Sequence, residues 1–388
     1  MSRVLISGAS IAGPTLAYWL RRYGFDVTVV EKAGTIRGGG YPIDVRGTAL
    51  EVVRRMGVLP ELRKAHIDTQ RITFLNPDGG VITSVKPDVV IGGIGNEDVE
   101  VRRGDLTEIL YATVRDDVEF RFDDSIATLD QSPYGVDVTF RSGAHGTFDL
   151  VVGADGLHSN TRRLAFGPET QFHRYLGHCF AGFTMPNDQG LSHEAVLWSR
   201  PGRGAAVYAA GDGPYVHGFL TFAEAEPPYD AFRDPDAQRE LVASIFAGDG
   251  WEVPRMVAAM RAAGDLFFDV VSQIRMPRWS TGRVALVGDA AHAPSFLTGQ
   301  GTSLGLVGAY MLAGALATSE GHETAFAAYE NSTRPFVEAN QNLAGDGSSV
   351  LFPRTEEAMA KRNEMLRGLD VIPADGRPEH SALILPSF

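Results

Sequence analysis

The sequence predicts an α/β protein in which a discontinuous, Rossmann-like nucleotide-binding domain is interrupted by a β-sheet-rich domain and followed by a C-terminal helical segment. Three observations carry this. Residues 3–31 read strand, glycine turn, helix, strand; a long middle stretch is patterned as strands joined by Pro/Gly turns; and an apolar strand ending in Gly288-Asp289 resumes the nucleotide-binding pattern late in the chain.

The opening unit is Arg3-Val4-Leu5-Ile6-Ser7, the turn Gly8-Ala9-Ser10-Ile11-Ala12-Gly13, a helix from Pro14 to Tyr23, and Asp26-Val27-Thr28-Val29-Val30-Glu31. Pro14 suits a first helical turn, where its missing N–H costs nothing, and Gly24 suits the helix end. Between 118 and 152, Val118, Phe120, Phe122, Val136, Val138 and Phe140 alternate with polar residues, which predicts antiparallel strands. An apolar strand, Phe148 to Val152, then leads into Gly153-Ala154-Asp155-Gly156. Residues 173–275 are predicted as a second domain, with a helix starting where Asp234 serves as N-cap and Pro235 as the first residue. Thr302 to Ala317 falls short of the roughly 20 apolar residues of a membrane span and is broken by glycines, so a buried helix is expected. Residues from Pro335 to about 368 are expected to be helical, followed by a Pro/Gly-rich stretch from Pro373 to Pro378 and an apolar tail.

A net charge of −13 repels polyanions, so neither nucleic acid nor an anionic membrane is an expected partner, and a bound anion must find local positive groups. Arg46, Arg102, Arg103, Arg162 and Arg163 are candidates, whereas Arg54 and Arg55 read as solvated surface residues. The single cysteine, Cys179, excludes an intramolecular disulfide or a thiolate metal cluster, and no metal site is expected. The N-terminus shows no apolar leader, which points to the cytoplasm.

A dinucleotide turn needs one glycine for the bend, a small residue where the backbone meets pyrophosphate, and a further glycine where helix packs on strand. Gly8, Ser10 and Gly13 stand at those positions, with Ser10 in place of the usual glycine, and Glu31 ends the second strand where it can accept bonds from a ribose. Alone, such a turn also fits other α/β proteins with a glycine-rich loop. Two further signals accompany it: Gly153-Ala154-Asp155-Gly156-Leu157-His158-Ser159-Asn160-Thr161-Arg162, and Gly288-Asp289-Ala290-Ala291-His292 followed by Pro294 and Gly299-Gln300-Gly301.

These three motifs in this order, with Arg103-Gly104-Asp105-Leu106 before the second, resemble the class A flavoprotein monooxygenases of the p-hydroxybenzoate hydroxylase type. In length and in the layout around Gly299 the chain is most similar to the tetracycline-inactivating flavin monooxygenases. The resemblance implies a discontinuous FAD-binding domain over 1–172 and 276–335, a substrate domain over 173–275, and a C-terminal helical segment and tail over 336–388. It implies a cofactor site in which Gly8, Ser10, Ile11, Ala12 and Gly13 meet the ADP half of FAD and Glu31 and Lys32 its ribose. Arg103 is implied at the ribityl or phosphate region, Gly288 and Asp289 at ribityl hydroxyls or pyrophosphate, and Pro294, Gly299, Gln300, Gly301, Thr302 and Ser303 along the isoalloxazine ring. Asp155 and Arg162 fall in a motif that serves both FAD and the nicotinamide cofactor, and Arg46 falls near the flavin and incoming NAD(P)H. Arg46 and Pro294 are thus the positions implied in catalysis. The chain departs from the family at Ser295, Phe296, Ser303 and Gly308, where proline, proline, asparagine and aspartate are common. His292 is read as a hydrogen-bonded structural histidine.

The implied activity is oxygenation, most simply hydroxylation, of an aromatic or polyketide-like small molecule by NADPH or NADH and O2 through a flavin C4a-hydroperoxide. Phe180, Phe183, Trp198, Phe219 and Phe222 are candidates for an apolar wall over the ring. A monomer or weak homodimer is expected. Two rival readings are a flavin-dependent reductase or dehydrogenase on the same fold, and a flavoprotein that sequesters a small molecule without turnover.

Overall fold

A parallel sheet buried on both faces demands continuous apolar strands, and the first strand meets that demand: Val4, Leu5 and Ile6 are fully buried. The computed structural model describes residues 2–36, 38, 40–87, 98–232, 234–345, 353–368 and 378–388. Among these, Arg3–Ser7 lies in a six-stranded sheet ordered Ser280–Thr281, Val284–Leu286, Leu150–Gly153, Arg3–Ser7, Asp26–Val30, Glu119–Arg121. All neighbours run parallel except the antiparallel edge strand Ser280–Thr281. The chain therefore leaves this sheet after Gly153 and returns beside it at Val284, as a discontinuous domain requires.

Phe120 corrects one expectation. Glu119–Arg121 is a parallel edge strand, with Thr28 opposite Glu119, and only Ile126–Ser132, Gly135–Phe140 and His145–Phe148 form the antiparallel three-stranded sheet. An edge strand shows one face to solvent and so alternates like an antiparallel one; periodicity cannot tell them apart.

The second large sheet has seven strands, ordered Phe267–Ile274, His173–Pro186, Tyr215–Ala223, Arg203–Ala209, Glu194–Arg200, Arg71–Leu75, Val81–Val85. Its last two strands come from within residues 1–172, so the sheet-rich unit draws on more of the chain than 173–275. One face is covered by the helices Pro235–Ile245 and Val253–Ala262, with Asp234 capping the first by accepting from the amides of Asp236 and Ala237 at 2.9 and 3.2 Å. Between sheet and helices lies a separate core of Phe183, Met185, Trp198, Phe222, Phe246, Met256 and Met260.

The helix Gly301–Thr318 is apolar on all sides and buried from Thr302 to Leu316, as a helix in the middle of a soluble fold is. The next helix, His322–Asn342, runs straight through Pro335, which corrects the expected helix start at that residue. Burial of Phe326, Tyr329, Phe336 and Val337 along one side outweighs the single backbone bond the proline removes. The helix Glu356–Arg367 packs on the second sheet, where Arg362 donates to Ser199 Oγ at 2.7 Å. Pro373 and its neighbours lie outside the described residues.

The final segment, Pro378–Phe388, returns to the first domain. Thr48 Oγ1 donates to the Leu383 carbonyl at 2.7 Å, and Arg55 donates to the Pro386 carbonyl at 2.6 Å and to Tyr310 Oη at 2.5 Å. Arg55 is thus an anchor for this segment and not a solvated surface residue. The Phe388 ring packs 5.3 Å from that of Tyr310, over Gly314, where an added Cβ would stand 1.9 Å from it.

Gly314→Ala therefore has opposite signs in two backgrounds. In the natural sequence it displaces Phe388 and costs about 1–3 kcal/mol of stability; with Phe388→Ala alongside, only the better helix propensity of alanine remains, a gain of roughly 1 kcal/mol. Denaturant unfolding of the four proteins of this cycle measures the coupling.

Candidate functional site

The glycine turn is built by close approach of backbone to backbone. Gly8 holds φ +109°, and a Cβ there would stand 2.5 Å from the Ala154 carbonyl; a Cβ on Gly13 would stand 1.9 Å from the Gly8 carbonyl. No side chain caps the helix Ala12–Arg22, so its first amides stay available to an anion. A second uncapped start, that of Gly301–Thr318, lies beside it. The two meet through small residues: hypothetical Cβ atoms on Gly288 and Gly305 would be 3.1 and 3.7 Å from Ala12 Cβ.

Ser10, the residue that departs from the glycine pattern, receives a hydrogen bond from Arg103 Nη2 at 2.8 Å. The serine thereby ties the guanidinium to the turn. Glu31 accepts from the amides of Ala9 and Ala33 at 2.8 and 2.9 Å, fastening the turn to the end of the second strand; a carboxylate retains further acceptor sites for a ribose. Ile11 is half-buried at the turn, and Lys32 is exposed beyond Glu31.

Asp155 stitches its own loop, accepting from Thr161 N and Oγ1 at 2.9 Å each, from Ser7 at 3.3 Å and from Ser159. Arg162, expected at the cofactor, is fully buried and donates to the carbonyls of Ala290 and Leu157 and to Glu169. It braces the Asp155 turn against the Asp289 turn. Its motif partner His158 bridges Glu169 and Asp269 at 2.8 and 3.1 Å, and those two carboxylates raise it to about 10. A charged imidazolium therefore links the first domain to the second sheet.

Asp289 has its pKa raised by burial, against the pull of the nearby Arg103. Past it, the Pro294 carbonyl accepts from Gln273 at 2.9 Å, and Ser295 holds φ +82°, a conformation that costs a non-glycine residue about 1–3 kcal/mol. Gly299 lies next to Asp44, and Ser303 Oγ accepts from the Arg46 amide at 3.2 Å. Arg46 is buried and pairs with Asp44 at 2.7 Å. Its Nε, and both amide atoms of the fully buried Gln300, have no partner among the described residues. His292 sits in the core against Trp279 and Tyr329, its pKa lowered by burial to about 3, in keeping with a structural role.

The five aromatic candidates divide by the parity of their strands. Phe183, Trp198 and Phe222 belong to the core under the helices and are 3%, 2% and 1% exposed, which corrects their assignment to a substrate wall. Phe180 and Phe219 point to the opposite face. There Phe180 meets Phe267 and Phe296 at 5.6 and 5.0 Å, and Phe219 meets Tyr41 at 6.4 Å. Phe267 and Phe296 remain 42% and 47% exposed despite these contacts, which marks an apolar surface shaped for something.

Sequence reasoning did not place Tyr41, Asp44, Phe267 or Phe296 at this site. Only the last had a signal, as a phenylalanine standing where proline is common. Among the described residues no group of His, Cys, Asp and Glu is arranged to hold a metal ion.

These features fit FAD. The glycine cradle excludes side chains, two helix starts and Arg103 supply positive potential in an acidic protein, and Arg46 Nε and the Gln300 amide leave unused donors and an acceptor beside the Pro294–Ser303 loop. Arg103→Ala is expected to weaken FAD retention by about 1.5–3 kcal/mol, roughly tenfold to hundredfold in Kd, for loss of a charge-assisted contact. Flavin fluorescence on titration of apoprotein measures it, and an unchanged Kd removes Arg103 from the site.

Comparison with known proteins agrees with this geometry. The family described as FAD binding domain matches residues 1–344. An uncharacterized protein of Mycobacterium tuberculosis is 44% identical over 348 residues, spanning 89% of this chain and 93% of that one. A flavin-dependent monooxygenase of Legionella longbeachae is 36% identical over 88% of this chain and 87% of its own. The crystal structure of tetracycline destructase Tet(55) superposes with a TM-score of 0.86 at 35% identity, covering 100% of this chain and 99% of that one. From the glycine cradle to these relatives the conclusion is the same: the chain belongs to the FAD-binding-domain family of class A flavin monooxygenases.

Proposed function

We propose that this flavin-dependent monooxygenase takes its electrons from NADPH or NADH and hydroxylates an aromatic or polyketide-like small molecule. The observation that carries the reading is the aromatic face of the second sheet, Phe180, Phe219 and Phe267, met by Tyr41 and by Phe296 of the Pro294–Ser303 loop and still partly exposed. A bound FAD would supply the redox chemistry, hydride acceptance from the nicotinamide and activation of O2 for transfer of one oxygen atom to the substrate.

The chain's own residues supply the environment. The uncapped start of Gly301–Thr318 offers amides and a positive dipole end to the negative charge of a reduced ring. The Arg46–Asp44 pair holds a cation at that loop without adding net charge. Aromatic side chains exclude water once a substrate lies on them, which keeps the oxygen-transfer site dry.

The test is a panel of phenols, hydroxyaromatic acids and polycyclic polyketides, tetracycline included because one structural neighbour is named for it. NADPH and NADH oxidation, O2 uptake and product mass are followed together. A compound that stimulates all three and gains one oxygen atom supports the reading. Stimulated NAD(P)H oxidation by substrate under anaerobic conditions, with a reduced organic product, marks a reductase and overturns it.

Two phenylalanines separate wall from core. Phe219→Ala raises KM for the panel's best substrate with little effect on unfolding, whereas Phe183→Ala costs about 3–5 kcal/mol of stability in the helix-covered core. KM and denaturant midpoints for both variants check the division.

A further inference from the structure

The short ribbon of Pro42–Val45 with Val99–Arg102 sets Asp44 directly opposite Glu100. Like charges in that register oppose each other. Asp44 is compensated by Arg46 at 2.7 Å, but Glu100 has no ion-pair partner among the described residues. Its Oε2 lies 2.7 Å from Thr69 Oγ1 and 3.0 Å from Tyr208 Oη, two hydroxyls that also hydrogen-bond each other, and among the described residues nothing bonds to its Oε1. Burial first, and Asp44 second, raise this carboxyl to about 7.

Tyr208 places the trio. Cross-strand pairs put Tyr208 opposite His217 and Ala206 opposite Phe219, so Tyr208 lies two residues along from Phe219's partner on the same face. Thr69, Tyr208 and Glu100 therefore form the polar end of the face whose aromatic end is Phe180, Phe219, Phe267 and Tyr41.

We propose that Glu100 is a specificity-determining residue, donating a hydrogen bond as a neutral carboxylic acid from Oε1 to a carbonyl oxygen of the substrate. The inference rests on the reading of the aromatic face as the substrate's. With Oε2 engaged by these two hydroxyls, Oε1 is the oxygen open to a substrate. An unpaired carboxylate under a bound aromatic molecule is costly, so the neutral form prevails when the face is covered. With Asp44 paired to Arg46 and Glu100 neutral, these two carboxyls offer no net negative charge to an ammonium group, and a neutral acceptor is favoured. The titratable and charged groups around Glu100 are Asp44 and Arg46 at the end of the paired strand, exposed Arg102 on its own strand, Tyr208 and the facing His217 from the sheet, and His66, whose Nδ1 lies 3.1 Å from the Glu100 carbonyl oxygen. Arg103, three residues along the chain, is turned to Ser10, and Glu61, Arg63 and Lys64 of the packed helix Leu59–Lys64 are exposed.

The probes are xanthone and xanthene, tricycles of one shape with and without a ketone, titrated into FAD-loaded enzyme without reductant and read by the shift in flavin absorbance. Below pH of about 7 the wild type binds xanthone roughly threefold to tenfold more tightly than xanthene, the worth of one neutral hydrogen bond, and the preference fades as pH rises. Glu100→Gln keeps the preference and removes its pH dependence, because the amide still donates. Glu100→Leu removes the preference and leaves xanthene binding in place. Tyr208→Phe moves the pH transition upward, since it deletes a bond to the charged form, a shift that a purely structural role does not produce. A preference that is flat with pH in the wild type, or intact in Glu100→Leu, overturns the proposal, as does failure of both probes to bind. Oxygenated product in the substrate panel reports on the monooxygenase reading separately: product with a pH-flat preference sinks Glu100 alone, and the predicted preference without any oxygenated product sinks the substrate reading alone.

Discussion

The contact among Ala12, Gly288 and Gly305 is the constraint on which the site depends. Side chains of one or no carbons let two helices abut at their starts, so two sets of unbonded amides and two positive dipole ends converge. In a chain of net charge −13 this is how a dinucleotide finds positive potential without a basic surface. Any larger residue at these three positions separates the helices and, with them, the Asp289 turn and the Pro294–Ser303 loop that follow Gly288.

What the sequence reveals is whatever local chain geometry enforces. Gly8 and Gly13 are legible because a Cβ there strikes backbone, and Asp289 because it ends an apolar strand. Facing is less legible. Phe180 and Phe183 sit three residues apart on one strand and therefore on opposite faces, but nothing in the sequence says which face meets helices and which meets the first domain. The bracing by Arg162 is hidden for a similar reason: its carbonyl partners, which come from Leu157 and from the distant Ala290, are not contained in the motif. Glu100 has no motif at all; its environment arises from a register and a tyrosine more than a hundred residues away.

Charge is handled differently in the two halves of the molecule. Around the Asp155 and Asp289 turns, Arg162, Glu169, His158 and Asp269 form a compensated chain that crosses from one domain to the other. Removing one member leaves a partly buried charge without its partner, which costs more than the intact network is worth. Around the aromatic face the chain relies instead on a single pair, Asp44 with Arg46, and on hydroxyl groups.

The two strands Arg71–Leu75 and Val81–Val85 have a consequence for exchanging parts between relatives. They continue the second sheet beyond Glu194–Arg200: Arg71–Leu75 pairs with it in parallel, Trp198 opposite Leu75, and Val81–Val85 pairs antiparallel with Arg71–Leu75. A chimera that transplants 173–275 alone brings in a foreign strand to pair with the host's Arg71–Leu75, so register and pleat are decided by two unrelated sequences. Where they disagree, Glu194–Arg200 becomes an open edge with unsatisfied amides, a template for self-association. Grafts intended to move substrate preference must carry 71–85 as a second piece, and the seam falls inside the nucleotide-binding half of the gene.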